Sequence, residues 1–214
     1  MLYSQKRLSL ALCLLAAAMF LGLPTLAAAS PDRPIVFVHG YGGKGGNWDT
    51  MESRFNNEGW NHTYKFNYSS LTRSNKTSAG QLRDAVNWVR SQHGWNTVNL
   101  VAHSNGGLVV RWYRVFLGGS NANHRFVSLG SPHSGTSWAY GCFSPACFEM
   151  RYGSSFLNDL NGRGCDRSLW SSCDAIIIPN SSARCGNSSW MGCYDHVLMV
   201  NSAHVFRMTR DRLW

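Results

Sequence analysis

The segment Val98 to Val110, VNLVAHSNGGLVV, constrains this chain more than any other. Apolar side chains at Val98, Leu100, Val101 and Ala102 lead into His103-Ser104-Asn105-Gly106-Gly107, and an apolar, helix-compatible run from Leu108 to Leu117 follows. That order predicts a strand, a sharp turn and a helix. Such a turn crowds its own backbone, so the positions flanking the serine must be small. Ala102 stands two before Ser104 and Gly106 two after, an A-x-S-x-G form of the G-x-S-x-G elbow. An elbow of this kind lifts a serine hydroxyl clear of the sheet, where a base and a substrate can both reach it.

The rest of the chain supplies the context for that turn. Ile35-Val36-Phe37-Val38 is a continuous apolar run, the pattern of a strand buried on both faces, and it ends in His39-Gly40-Tyr41-Gly42-Gly43. A glycine-rich turn in that place exposes backbone N–H groups. It does not fit a phosphate loop, because Lys44 is followed by Gly45. Asn47 can cap a helix through about Glu58, and Tyr64 to Tyr68 alternates like a strand. Ser69 to Thr77 reads as a polar loop, and Leu82, Val86 and Val89 recur at helical spacing before Gly94. Phe126 to Leu129 is a further strand. Strands alternating with helices predict an α/β fold with a mostly parallel central sheet and helices on both faces. Sites in such sheets form at the carboxyl ends of strands, where His39, Ser104 and Gly130 all fall.

From Trp138 to Arg167 periodicity fades into an irregular excursion rich in glycine, serine and cysteine. Asp174 precedes a strand-like run, Ala175 to Ile178, and Ser181 to Met191 is polar again. Val197 to Leu213 reads as a closing helix with Val197, Val200, His204 and Met208 near its apolar face.

Residues 1–29 carry a basic start at Lys6 and Arg7, an apolar run from Leu8 to Leu23 that contains Cys13, and Ala27-Ala28-Ala29. This predicts a secretory signal cleaved after Ala29, leaving residues 30–214 as one domain without a transmembrane segment. Secretion places the product outside the cell, or in the periplasm if the source has an outer membrane. With Lys6 and Arg7 removed, 18 of the 20 basic residues face 11 acidic ones, a net charge of about +7. No basic run interleaved with aromatics occurs, which sets nucleic-acid binding aside.

A serine hydroxyl is a weak nucleophile until a base takes its proton, and the base needs an acid to fix its tautomer. On an α/β scaffold the expected order is Ser, Asp or Glu, His. His124 and His133 precede every acid that follows Ser104, and His204 falls on the apolar side of the closing helix, the place of a packed core histidine. His196 is left as the base. Asp174, beside its isoleucine run, is the leading acid, with Asp195 and Asp166 as alternatives. The oxyanion donors of this architecture would be the N–H of Asn105 and that of Tyr41, with His39 propping the glycine turn.

Six cysteines follow the leader, and none forms a C-x-x-C pair, so disulfides are expected in place of a zinc site. If Asp174 and His196 touch, Cys173 and Cys193 are brought together as a clamp on the two loops. Cys142 then pairs with Cys147, and Cys165 with Cys185. Sequential pairing is the alternative among 15 connectivities. Sequons at Asn61, Asn67, Asn75, Asn180 and Asn187 are expected on polar surface.

PIVFVHGYGG, VNLVAHSNGG, LGSPHSGT, GSSFLNDLN, SSCDAIIIP and DHVLMV resemble the small bacterial secreted lipases of the α/β-hydrolase superfamily, in particular the lipase class 2 family. The first two segments are common across the superfamily, and the later ones narrow the match. The resemblance implies Ser104, Asp174 and His196 as nucleophile, acid and base, and Tyr41 and Asn105 as oxyanion donors. It implies a single α/β-hydrolase domain without a large lid and hydrolysis of carboxylic esters, including acylglycerols. A monomer is expected, with a lipid or ester substrate met at a lipid–water interface. No metal or organic cofactor is expected. The Gly141 to Cys165 stretch either covers the site or packs beside it.

Overall fold

The computed structural model of the chain describes residues 33–214. The expected leader, Cys13 included, lies outside the described residues. A six-stranded, wholly parallel sheet runs through the domain in the order β2-β1-β3-β4-β5-β6. Its strands are β1 (Ile35–Val38), β2 (Thr63–Phe66), β3 (Val98–His103), β4 (Asn123–Leu129), β5 (Arg167–Trp170) and β6 (Asn187–Trp190). The helices are α1 (Asp49–Asn57), α2 (Asn75–His93), α3 (Asn105–Phe116), α4 (Gly119–Ala122), α5 (Pro145–Glu149), α6 (Ser155–Leu160) and α7 (Ala203–Arg210).

The continuous apolar run of β1 is explained by its two faces. Ile35 and Phe37 pack into one layer with Met51 and Phe55 of α1 and Val205 and Phe206 of α7. Val36 and Val38 point the other way, onto Leu82, Val86 and Val89 of α2 and Val109, Val110 and Tyr113 of α3. Side chains alternate across a strand, so one apolar run serves both layers. Phe55 meets Phe206 edge to face at 4.9 Å, linking α1 to α7, an arrangement that adds about 1 kcal/mol beyond the area buried.

Four expectations are corrected by the fold. Ile176 to Ile178 is not a strand: only Ile177 is fully buried, and the run is a bent loop after β5. His204 is exposed, because α7 buries Val205, Phe206 and Thr209 and turns the preceding residue outward. The polar Ser181 to Met191 segment contains edge strand β6, which is held by backbone pairing with β5 and so needs little apolar signal. Asn75 is not surface but fully buried at the start of α2, which begins inside the expected loop behind a Ser74 cap.

The Trp138 to Arg167 excursion has its own small core, in which Ala139, Cys147, Met150, Phe156, Leu157 and Leu160 pack on Leu108 of α3. The stretch therefore packs beside α3. Disulfides join Cys142 to Cys147, Cys165 to Cys185 and Cys173 to Cys193.

Candidate active site

Ser104 sits between β3 and α3 at φ 53°, one of two non-glycine residues with positive φ among the described residues. Such a conformation costs on the order of 1–3 kcal/mol and persists only where its surroundings hold it. Here the Ser104 N–H donates to Leu129 O at 2.9 Å. The first turn of α3 also lies against the end of β1, where a Cβ on Gly106 would sit 2.5 Å from His39 O. Gly40 is as constrained, since a Cβ there would lie 2.7 Å from Ser104 Cβ. The small residues at Gly40 and Gly106 thus let the end of β1 approach the serine turn.

His196 is carried by the loop before α7, and its Nε2 lies 2.9 Å from Ser104 Oγ. Its Nδ1 lies 2.8 Å from Asp174 Oδ2. The other oxygen of Asp174 accepts the N–H groups of Ile176 and Ile177, each at 2.9 Å. Burial alone would raise the Asp174 carboxyl, but the His196 hydrogen bond and charge and the two amides outweigh it and hold the group below its ordinary value. An ionised Asp174 can only accept, so Nδ1 carries the imidazole proton and Nε2 presents its lone pair to the serine. All three residues are buried.

The alternative acids point elsewhere. Asp195 accepts the Val197 and Leu198 amides at 2.8 and 3.1 Å and so caps the turn that follows. Asp166 accepts the Phe126 N–H and pairs with Arg167. His133 is buried against Ser128, and His124 lies among Arg33, Arg125 and Arg167.

His103, the elbow residue before Ser104, donates from Nε2 to the backbone oxygen of His196 at 2.8 Å, and the two rings lie 4.7 Å apart. Burial, together with the neighbouring His196, lowers its pKa to about 3, so it is neutral and serves as a fixed prop. Ser171 is a second prop that no motif signals: its hydroxyl binds both Tyr194 N and Tyr194 O at 2.7 Å, tying the loop of Asp174 to the loop of His196. Cys173 and Cys193 cross-link the same loops with Cα atoms 4.7 Å apart.

Asn105 is the first residue of α3, so its N–H has no partner within the helix. Facing it is the turn after β1, in which Gly42 N–H donates to Ser70 Oγ at 2.8 Å and Gly43 N–H to Gly40 O at 3.1 Å. The Tyr41 N–H takes part in neither bond. Beneath both lies a buried network. Tyr68 donates its hydroxyl to His39 O at 2.8 Å and stacks on the His39 ring, and Asn105 Nδ2 donates to Asn75 Oδ1 at 2.8 Å and approaches the Tyr68 hydroxyl at 3.4 Å. His39 accepts the Tyr68 N–H at Nε2 and therefore donates from Nδ1 to Gly40 O. Burial keeps it neutral by lowering its pKa.

Two cavities flank Ser104. One, of about 150 Å³, is apolar and is lined by Thr136, Trp138, Met150, Ile176, Ile177 and Val197. The other, of about 250 Å³, is lined by Gly40, Gly42, Gly43, Asn47 and His103, and it shares Tyr41, His196 and Val197 with the first. Met150 is the one residue of the Gly141 to Cys165 stretch in either wall. A buried serine hydrogen-bonded to an imidazole that is itself oriented by a carboxylate can attack a carbonyl carbon.

Residues 32–207 match the family model described as Lipase (class 2). Among solved structures, Bacillus licheniformis lipase BlEst2 in its mature form is similar at TM-score 0.73 and 17% identity, over 86% of this chain and 92% of that one. Aspergillus fumigatus lipase B is similar at TM-score 0.73 and 16% identity, over 87% of this chain and 54% of that one. An α/β-hydrolase enzyme from the sediment metagenome of the Mar Chica lagoon, Morocco, is similar at TM-score 0.59 and 17% identity, over 84% and 89%.

Proposed function

The chain belongs to the class 2 lipase family, and from that premise we propose that it is a secreted serine hydrolase that cleaves carboxylic esters through an acyl-enzyme. The observation that carries this reading is the unbroken run of hydrogen bonds from Asp174 through His196 to Ser104. Ser104 Oγ bonds to the ester carbonyl carbon while its proton passes to His196 Nε2, and Asp174 stabilises the imidazolium. The oxyanion rests on the N–H groups of Tyr41 and Asn105. Collapse expels the alcohol oxygen, which takes the proton from His196. Water then repeats the sequence on the acyl-enzyme, releasing the carboxylic acid and restoring Ser104.

The three disulfides and the leader-like pattern of residues 1–29 support export. Contact with a lipid–water interface is supported by Tyr140, Phe143, Phe148 and Tyr152, all exposed on the segment that also supplies Trp138 and Met150 to the apolar cavity. The test is labelling with a serine-directed phosphonate and turnover of p-nitrophenyl esters. Both should occur in the native chain and be lost in Ser104→Ala; neither label nor turnover in the native chain sinks the reading.

A further inference from the structure

The apolar cavity beside Ser104 is small and its wall is tied to the proposed catalytic acid, and we infer that the protein selects esters by a short acyl chain, accepting up to about six acyl carbons. The inference rests on the serine-hydrolase reading above and names the substrate class of that site.

Hydrocarbon belongs in the cavity walled by Trp138, Met150, Ile176 and Ile177, whose side chains offer it apolar contact. The second cavity adds glycine backbone, Asn47 and His103 to its lining, and so offers hydrocarbon less apolar contact. An apolar cavity of about 150 Å³ holds a six-carbon ring such as benzene. The acyl slot is therefore filled at about hexanoyl.

The wall of this slot is built from the same backbone that seats the acid. Ile176 and Ile177 N–H groups bind Asp174 Oδ1, the Thr136 hydroxyl donates to Ile176 O, and Ile178 N–H donates back to Thr136 Oγ1 at 3.2 Å. Thr136 N–H in turn donates to Met150 O at 3.0 Å, fixing the opposite wall. Widening the slot by moving Ile176 or Ile177 would withdraw amides from the Asp174 carboxylate. A longer chain cannot push the wall back without disturbing the hydrogen bond to His196, so methylenes beyond the slot lie outside it and gain little.

The experiment is kcat/KM for p-nitrophenyl esters from acetate to palmitate, each below its solubility limit, on the native chain and on Met150→Ala and Trp138→Ala. Each methylene entering the slot should raise kcat/KM roughly fourfold, with a break near hexanoate and a level or falling limb beyond it. Met150→Ala removes three heavy atoms from the wall, so its break should move about two carbons longer. Trp138→Ala opens the rim at a part-exposed position and should flatten the falling limb. A native optimum at decanoate or longer overturns the inference, as does a break at the same length in both variants. Absence of turnover with every ester, together with no phosphonate labelling, overturns the hydrolase reading itself and is a different result from either.

Discussion

The Asp174 carboxylate lies 2.8 Å from Nδ1 of His196, whereas Asp195, the immediate neighbour of that histidine, turns its own carboxylate onto the Val197 and Leu198 amides. Sequence adjacency and spatial partnership are therefore opposed at this site. Asp174→Ala should lower kcat by roughly 10³–10⁴-fold, since an imidazole without its acid loses the tautomer it needs. Asp195→Ala should leave kcat within a few-fold and cost about 1 kcal/mol of stability through the lost cap. Steady-state kinetics and a denaturant melt separate the two, and loss of activity in Asp195→Ala alone would reverse the assignment.

The loop of the acid and the loop of the base are fastened to each other by the Cys173–Cys193 bond and by Ser171. Mild reduction should cost activity before it costs the fold, because the cross-link fixes the distance between the two loops while the sheet is held by its own ladder. The double variant Cys173→Ser/Cys193→Ser should lose about 3 kcal/mol of stability. Activity titrated against reductant, alongside far-UV circular dichroism, decides it. Full activity in the reduced protein would remove the clamp.

Stability should fall as the medium is acidified. Burial first, and then nearby positive groups, lower His103 to about 3 and His124 to about 4, and push His133 well below its ordinary value. Unfolded, these imidazoles bind protons below about pH 6.5; folded, they do so only much further down, so the unfolded chain takes up more protons in between. Their contribution is complete above about pH 6.5 and is lost as pH falls toward the folded values. Asp174, held below its ordinary carboxyl value, extends the loss at the acid end. Thermal midpoints measured from pH 8 to pH 4 should drop below about 6.5, and a flat profile would contradict the burial of these neutral rings.

Tyr68 fixes the glycine turn by donating its hydroxyl to His39 O, and meets the Asn105 side chain from below. Tyr68→Phe keeps the ring and its stack on His39 but frees both donors of the proposed oxyanion site to shift. A roughly tenfold fall in kcat with KM within twofold is expected, and an equal rise in KM with kcat unchanged would place the effect in ground-state binding instead.

Phe143 and Phe148 present their rings to solvent, and the Arg151 guanidinium lies within 5.9 Å of both. Phe143→Ser with Phe148→Ser should lower the rate on a tributyrin emulsion several-fold while leaving a dissolved p-nitrophenyl ester unaffected. Equal losses on both substrates would argue against interfacial contact.

Much of this molecule is legible in its sequence because the signals concerned are local. The alternation of strand and helix patterns, the small residues around Ser104 and the apolar run of β1 each report constraints from immediate neighbours. Asn75 escaped because a sequon says nothing of burial, and its side chain is taken up by Asn105, 30 residues away. The isoleucines after Asp174 look like a strand by composition, but their amides are drawn to the Asp174 carboxylate and cannot join a ladder. His204 escaped through a small error of helical phase, since α7 starts only at Ala203 and buries the next two residues after the histidine. His103, Tyr68 and Ser171 form bonds to residues 93, 29 and 23 positions away, and no spacing rule reaches that far.

By itself the sequence determined the layers of the fold and the turn that presents Ser104, since both follow from periodicity and from the room a backbone needs. Tertiary structure alone decided how closely Asp174, His196 and Ser104 approach and how much hydrocarbon fits beside the serine. Those are distances between loops 20 to 90 residues apart, and they are set by the order in which parallel strands lie side by side and by the contacts that hold their carboxyl ends together.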